Sequence, residues 1–203
     1  MKSIRNSLGT LILIAVFAFQ SMAVGYEIDK SKSTIKWNGK KVTGEHYGTI
    51  GISNGHLQVE NNNLKSGVVE MDMNSIVVED LKNESSNKKL TGHLKSDDFF
   101  SVENHPKARL EIKNAVKKAG NNYTVTGDLT IKNITHPVTF DAVMNTGNEK
   151  LTAKGKVEVD RTLYDIKFRS GKFFSDLGDN LIYDTFTLEF DVVANEAKAT
   201  SEL

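Results

Sequence analysis

From about Val24 onward, apolar and polar side chains alternate along most of the chain. Ile35 and Trp37 share a phase, as do Ile50 and Ile52, and then Leu57 and Val59. Val69, Met71 and Met73 alternate with Glu70, Asp72 and Asn74. In the middle, Tyr123, Val125, Gly127, Leu129 and Ile131 oppose Thr124, Thr126, Asp128, Thr130 and Lys132. Val138, Phe140 and Ala142 follow Pro137, and Ala153, Gly155, Val157 and Val159 come later. The last run sets Phe186, Leu188, Phe190 and Val192 against Thr185, Thr187, Glu189 and Asp191. Successive side chains of a strand point to opposite faces, so each run predicts a strand with one apolar face.

Between the runs stand Ser53-Asn54-Gly55, Asn61-Asn62-Asn63, Ala119-Gly120-Asn121-Asn122 and Asn145-Thr146-Gly147. These residues supply positive φ and local side-chain hydrogen bonds, and they predict turns. One stretch breaks the alternation. Residues 81–103 carry polar clusters around Leu90, Leu94, Phe99 and Phe100. They predict a long connection with one or two short helical turns, of the kind that often serves as a lid. The whole describes one all-β domain. Both a barrel and a sandwich need an inward apolar face, so alternation alone leaves the two open.

The N-terminus changes the expected compartment. Lys2 and Arg5 precede a mostly apolar run from Leu8 to Phe19, and Ser21 and Ala23 are small residues two apart. This predicts a signal peptide over residues 1–23, cleaved after Ala23, and a periplasmic or secreted domain over residues 24–203. The apolar run is shorter than the ~20 residues that cross a hydrocarbon core. The leader holds two of the 26 basic residues and none of the 26 acidic ones, so the remainder carries a net charge of −2. Nucleic-acid binding, which wants a basic stripe, is not expected. The chain has no cysteine, which removes thiol chemistry and thiolate metal ligands.

Candidate chemistry is thin. His46, His56, His93, His105 and His136 show no metal-ligand spacing, so no metal site is predicted. Adjacent Asp97 and Asp98 fit helix capping better than acid–base work. Ser33 to Lys36 and Ser85 to Lys88 match the serine–x–x–lysine spacing of some acyl-transfer enzymes, but the partner motifs of that class are missing. No nucleophile elbow, phosphate-binding loop or dinucleotide fingerprint is present. No catalytic residue and no cofactor are predicted.

Several segments together resemble the YceI-like family. They are Tyr26-Glu27-Ile28-Asp29 with Ser33-Thr34-Ile35, then the run from His93 to Phe100 with His105-Pro106. Gly127 to Ile131 with Thr135 to Phe140, Asp160-Arg161 and the closing strand to Ala197 follow in order. The resemblance implies an extended, eight-stranded, antiparallel, lipocalin-like barrel, exported to the periplasm or secreted. It implies a bound polyisoprenoid, isoprenoid quinone, or long-chain fatty acid or amide. It further implies a role in stress handling or lipid transport, exchange with membranes, and dimers in some members. Many relatives carry Arg-Asp where this chain has Leu90 and Thr91, so no charged pair is expected near the pocket mouth.

Given a barrel, the strand phases nominate the lining. Ile35, Trp37, Val69, Met71, Leu129, Ile131, Phe140, Phe186 and Leu188 are expected to face inward. Phe99 and Phe100 are expected near the mouth or under the connection. His93 is the candidate polar contact for a head group, or else an anchor for its loop. A solid β-sandwich acting as an interaction module and an enzyme acting on a lipid or isoprenoid are the alternatives.

Overall fold

A computed structural model describes residues 23–198. The expected leader, apart from Ala23, lies outside the described residues. Among the described residues, nine strands form one antiparallel sheet: β1 (Ala23–Ile28), β2 (Thr34–Lys41), β3 (Gly44–Glu60), β4 (Asn63–Val78), β5 (Lys107–Lys117), β6 (Asn122–Ile131), β7 (Ile134–Gly147), β8 (Lys150–Asp160) and β9 (Ile182–Glu196). Each strand from β2 to β9 pairs with the next, and β9 returns to β2. Short β1 lies in line with β2, between the same neighbours β3 and β9. The result is a closed barrel of eight staves. A sandwich needs two separate sheets, so that alternative is excluded.

The inward faces are those that the alternation predicts. Tyr123, Val125, Gly127, Leu129 and Ile131 of β6 are buried, and the residues between them are half-exposed. Two-residue hairpins close several corners. Asn61-Asn62, Lys132-Asn133 and Asn148-Glu149 all have φ between 50° and 60°, the left-handed region that these tight turns require. The last of these corrects the turn expected at Asn145 to Gly147. Strand β7 continues through Gly147, which pairs with Lys150.

Ser53-Asn54-Gly55 is not a turn either. It lies inside β3, where Ile52 pairs with Met71 and Asn54 with Glu70. Ser53 is therefore an extra residue, a β-bulge, and its hydroxyl donates to the Glu70 carbonyl at 3.2 Å. The bulge shifts the phase by one. That shift lets Ile52 and Leu57, an odd number of residues apart, both face inward.

The connection between β4 and β5 is more helical than expected. Helix α1 spans Glu84–Lys95, about three turns. Asn83 caps it by accepting from the Ser86 amide at 3.0 Å. The Asn87 side chain donates to the carbonyls of Val78 (2.8 Å) and Leu81 (3.1 Å), tying the helix to the end of β4. Leu94 is buried beneath it. Asp97 and Asp98 follow the helix and do not cap its start; Asp97 accepts from the Ser101 hydroxyl. Because the strands run up and down, α1, the β8–β9 connection, and the β2–β3 and β6–β7 turns gather at one end. That end is called the mouth below.

Candidate functional site

Two apolar pockets, called lobes below, lie inside the barrel. The lobe nearer α1 holds about 810 Å³ of non-atom space, its opening included. The other holds about 830 Å³ on the same measure. Met71, Leu129 and Leu188 line both. They stand on β4, β6 and β9 and form a waist between the lobes.

Among the expected lining residues, Trp37, Phe99, Phe100, Ile131 and Phe186 border the mouth lobe. Ile35, Val69 and Phe140 border the far lobe, and Met71, Leu129 and Leu188 sit at the waist. The Trp37 ring N–H donates to the Val77 carbonyl at 3.1 Å, which fixes the indole against the wall. His93 lies outside the lining of both lobes. Its ring packs edge-on against Phe99 (4.9 Å) and Phe168 (4.5 Å), with Nε2 3.7 Å from Asp98. That placement matches a loop anchor more closely than a head-group contact.

The far lobe is lined wholly by apolar side chains, among them Leu57, Val125, Met144 and Phe190. Most of the lining residues not nominated from sequence, such as Met73, Val125, Ala142, Val157 and Val192, belong to the same strand phases. Arg161 is different. It is 3% exposed and is the one charged residue in the lining among the described residues. It continues the inward phase of β8 beyond Val157 and Val159. Its guanidinium donates to the carbonyls of Tyr183 (3.1 Å), Ile166 (2.8 Å) and Ile182 (3.0 Å). Burial lowers its pKa, opposed by Asp184 and Asp160, and a guanidinium remains a cation.

Asp184 occupies the inward phase of β9, one step beyond Phe186. Its Oδ1 is 3.5 Å from Arg161 Nη2. A charged pair therefore does stand near the mouth, contrary to the expectation drawn from Leu90 and Thr91. It comes from β8 and β9 instead. The sequence signal for it is an ionisable residue on the inward phase at each of two strand ends.

The pair is supported from behind. Asp160 accepts from the Thr162 amide (2.9 Å) and hydroxyl (2.6 Å) and from Lys172 Nζ (2.7 Å). Burial pushes the Asp160 carboxyl up, but the bonds from Lys172 and Thr162 outweigh it and hold the group below its ordinary range. Asp80, which accepts from the Tyr47 amide and contacts His46 at 2.7 Å, behaves in the same way. Tyr164 is 1% exposed, and its hydroxyl has no hydrogen-bond partner among the described residues; burial and Asp160 push its phenol up to about 12.

A depressed carboxylate stabilises the fold above its unfolded pKa and loses that contribution as pH falls through its folded value. The melting temperature is thus expected to hold near neutrality and to fall as the pH drops below about 4. Asp160→Asn should flatten part of that acid slope in thermal melts. An identical slope in wild type and variant would remove Asp160 from the account. Among the described residues, no three His, Asp or Glu side chains gather where they could hold a metal ion.

Residues 26–194 match the YceI-like domain. The chain belongs to the YceI-like family. A UPF0312 protein of Pseudomonas putida (strain W619) is 31% identical over 146 residues, covering 68% of this chain and 70% of that protein. A UPF0312 protein of Photorhabdus laumondii is 36% identical over 94 residues, which span 42% of this chain and only 44% of that relative. Among solved structures, Burkholderia cenocepacia BcnA superimposes with a TM-score of 0.67 at 20% identity, covering 83% of this chain and 99% of that one. A polyisoprenoid binding domain from Saccharophagus degradans, implicated in plant cell wall breakdown, gives 0.59 at 12% identity, covering 85% and 98%. At such identities the structural likeness establishes the shared YceI-like barrel.

Proposed function

We propose that this protein is an exported carrier or binding protein, periplasmic or secreted, for one long-chain apolar lipid held in the tunnel. The lipid class is a polyisoprenoid, an isoprenoid quinone, or a fatty acid or amide. The observation that carries this reading is the interior itself: two apolar lobes that meet at Met71, Leu129 and Leu188. The polyisoprenoid-binding description of the Saccharophagus domain supports it. An enzyme on the same substrate would need convergent polar groups, whereas the lining offers one charged side chain.

The energetics favour exchange. Each methylene withdrawn from water contributes roughly 0.8 kcal/mol, so about 20 of them gross about 16 kcal/mol against water. The relevant competitor is a bilayer, which offers nearly the same apolar surroundings. Net preference is then small, which suits a carrier that takes lipid from membranes and returns it. Phe173 and Phe174 stay about half exposed on the β8–β9 connection, at the end where such an exchange would occur.

Mass spectrometry of organic extracts from gently purified protein tests the reading. One co-purifying lipid with a long hydrocarbon chain, near one per chain, is expected. Trp37 is the only tryptophan and lines the mouth lobe, so its fluorescence reports refilling of stripped protein. Empty protein that also leaves Trp37 unchanged on titration with a polyprenol and a polyprenyl quinone would overturn the carrier reading.

A further inference from the structure

We propose that the lipid enters and leaves through the side of the barrel, by a window between β2 and β9 framed by Gly39 and Tyr183, and not past helix α1. This rests on the carrier reading and adds a route to it.

The ladder between the two strands is broken at one place. Gly39 pairs with Phe186 and Lys41 with Ile182, so Tyr183, Asp184 and Thr185 of β9 face Lys40 alone. On one side of the break the pairing is regular, from Thr34 with Asp191 to Gly39 with Phe186. On the other side the Val42 amide donates to the Leu181 carbonyl at 3.2 Å. The break is therefore bounded at both ends and is not a frayed strand end. At its edge stands Gly39, where a Cβ would meet nothing within 4 Å. Across from it, Tyr183 is 51% exposed and yet lines the mouth lobe.

Arg161 accounts for the break. In a regular strand, successive carbonyls point to opposite neighbours. Those of Ile182 and Tyr183 both accept from Arg161, at 3.0 and 3.1 Å. One of the two is thereby turned away from β2. A buried cation needs hydrogen-bonding partners, and this one takes a carbonyl that the interrupted ladder leaves free. The single charged side chain of an apolar lining thus acts on the backbone and holds the window's shape.

The exposure of the lobe's wall points to the same place. Its lining residues on β3, β4, β5 and β6 are buried. So are Leu94, Phe99 and Ile166, which come from α1 and the two long connections at the mouth end. The partly buried ones are Trp37, Gly39, Ile182, Phe186 and Leu188 on the two seam strands, together with Phe100. The Phe100 ring packs edge-on against Phe186 at 6.3 Å, so it too belongs to the seam. Passage past α1 would have to uncover Leu94 and Phe99 and break the bonds from Asn87 to Val78 and Leu81. Passage through the window needs no ladder pair broken.

The test follows rates. Stripped protein is mixed in stopped flow with phosphatidylcholine vesicles carrying a polyprenyl quinone, and in a parallel run with cis-parinaric acid; both probes quench Trp37 emission. Release is followed by mixing loaded protein with vesicles that lack the probe. Gly39→Leu puts a side chain across the window and is expected to slow uptake and release together, each about tenfold. Tyr183→Ala widens the window and is expected to quicken both; it decides alone if Gly39→Leu does not fold. Asn87→Ala loosens α1 and should leave both rates as they are. Unaltered rates in folded Gly39→Leu and Tyr183→Ala overturn the window. So does faster release with unchanged uptake in Gly39→Leu, which would make Gly39 a wall of the pocket and no more. Uptake quickened by Asn87→Ala also overturns it, by placing the route past the helix. In each of these cases the protein still loads, and the carrier reading stands. No quenching by either probe overturns the carrier reading, and the window with it.

Discussion

Leu129→Trp is expected to fold, to melt within a few degrees of wild type, and to emerge from purification with at least about tenfold less lipid. Leu129 is 3% exposed and faces inward from β6. It borders both lobes, together with Met71 from β4 and Leu188 from β9. In a filled core the larger indole would force neighbours aside, at about 1–3 kcal/mol. Here the waist borders a pocket on either side, so the ring has space to enter. A tenfold loss corresponds to about 1.4 kcal/mol, roughly two methylenes of lost contact. Blocking the waist removes more than that for any chain that must pass it. The loss should also depend on length: a short lipid that fits the mouth lobe retains its affinity, and a long one does not. Full loading of a folded variant with long lipid would show that the two lobes are not one binding path. Circular dichroism and lipid extraction on the same preparation make the comparison.

Much of the barrel was legible because a closed sheet wet outside and apolar inside imposes a two-residue period that little else produces. The phases of β6 and β9 assign Leu129, Ile131, Phe186 and Leu188 correctly to the interior. The misreadings have physical causes. Ser53-Asn54-Gly55 has the composition of a turn, and a bulge uses the same residue types for the same reason, local backbone freedom. Only the odd spacing of Ile52 and Leu57 betrays that one strand runs through. Helix α1 carries little beyond Leu90 and Leu94 as an apolar stripe, and beyond its local Asn83 cap it is held by the ties from Asn87 to Val78 and Leu81, which lie outside the helix. Arg161 and Asp184 were visible as ionisable residues at strand ends. Their meeting depends on the β8–β9 register, which the hydrophobic pattern constrains only to within two residues. His93 stood in the one segment without a period, so its direction could not be read at all.

Gly48→Ala is expected to be the most damaging small substitution in the wall, because Gly48 lies where the barrel closes. It pairs with Val78 across the β3–β4 seam, the junction that joins the two ends of the sheet. A Cβ built on Gly48 would overlap the Val77 carbonyl oxygen, stand 2.9 Å from its carbonyl carbon, and stand 3.1 Å from a ring carbon of Trp37. The first two are backbone atoms and cannot swing aside. The same Val77 oxygen accepts the Trp37 ring N–H at 3.1 Å, so a methyl group there separates the seam and frees the indole together. Close backbone approach is a recognised reason for glycine within a strand. A loss of about 3–5 kcal/mol is expected, in the range of severe single changes, with a red-shifted Trp37 emission as the ring gains water. Gly39 is the control. It lies on neighbouring β2 and lines the mouth lobe beside Trp37, yet a Cβ there meets nothing within 4 Å. Gly39→Ala should therefore leave denaturant midpoint and fluorescence near wild type. Equal midpoints for the two variants would mean that the seam tolerates a side chain at Gly48, and the tight closure of β3 on β4 would lose its role in holding Trp37 against the tunnel.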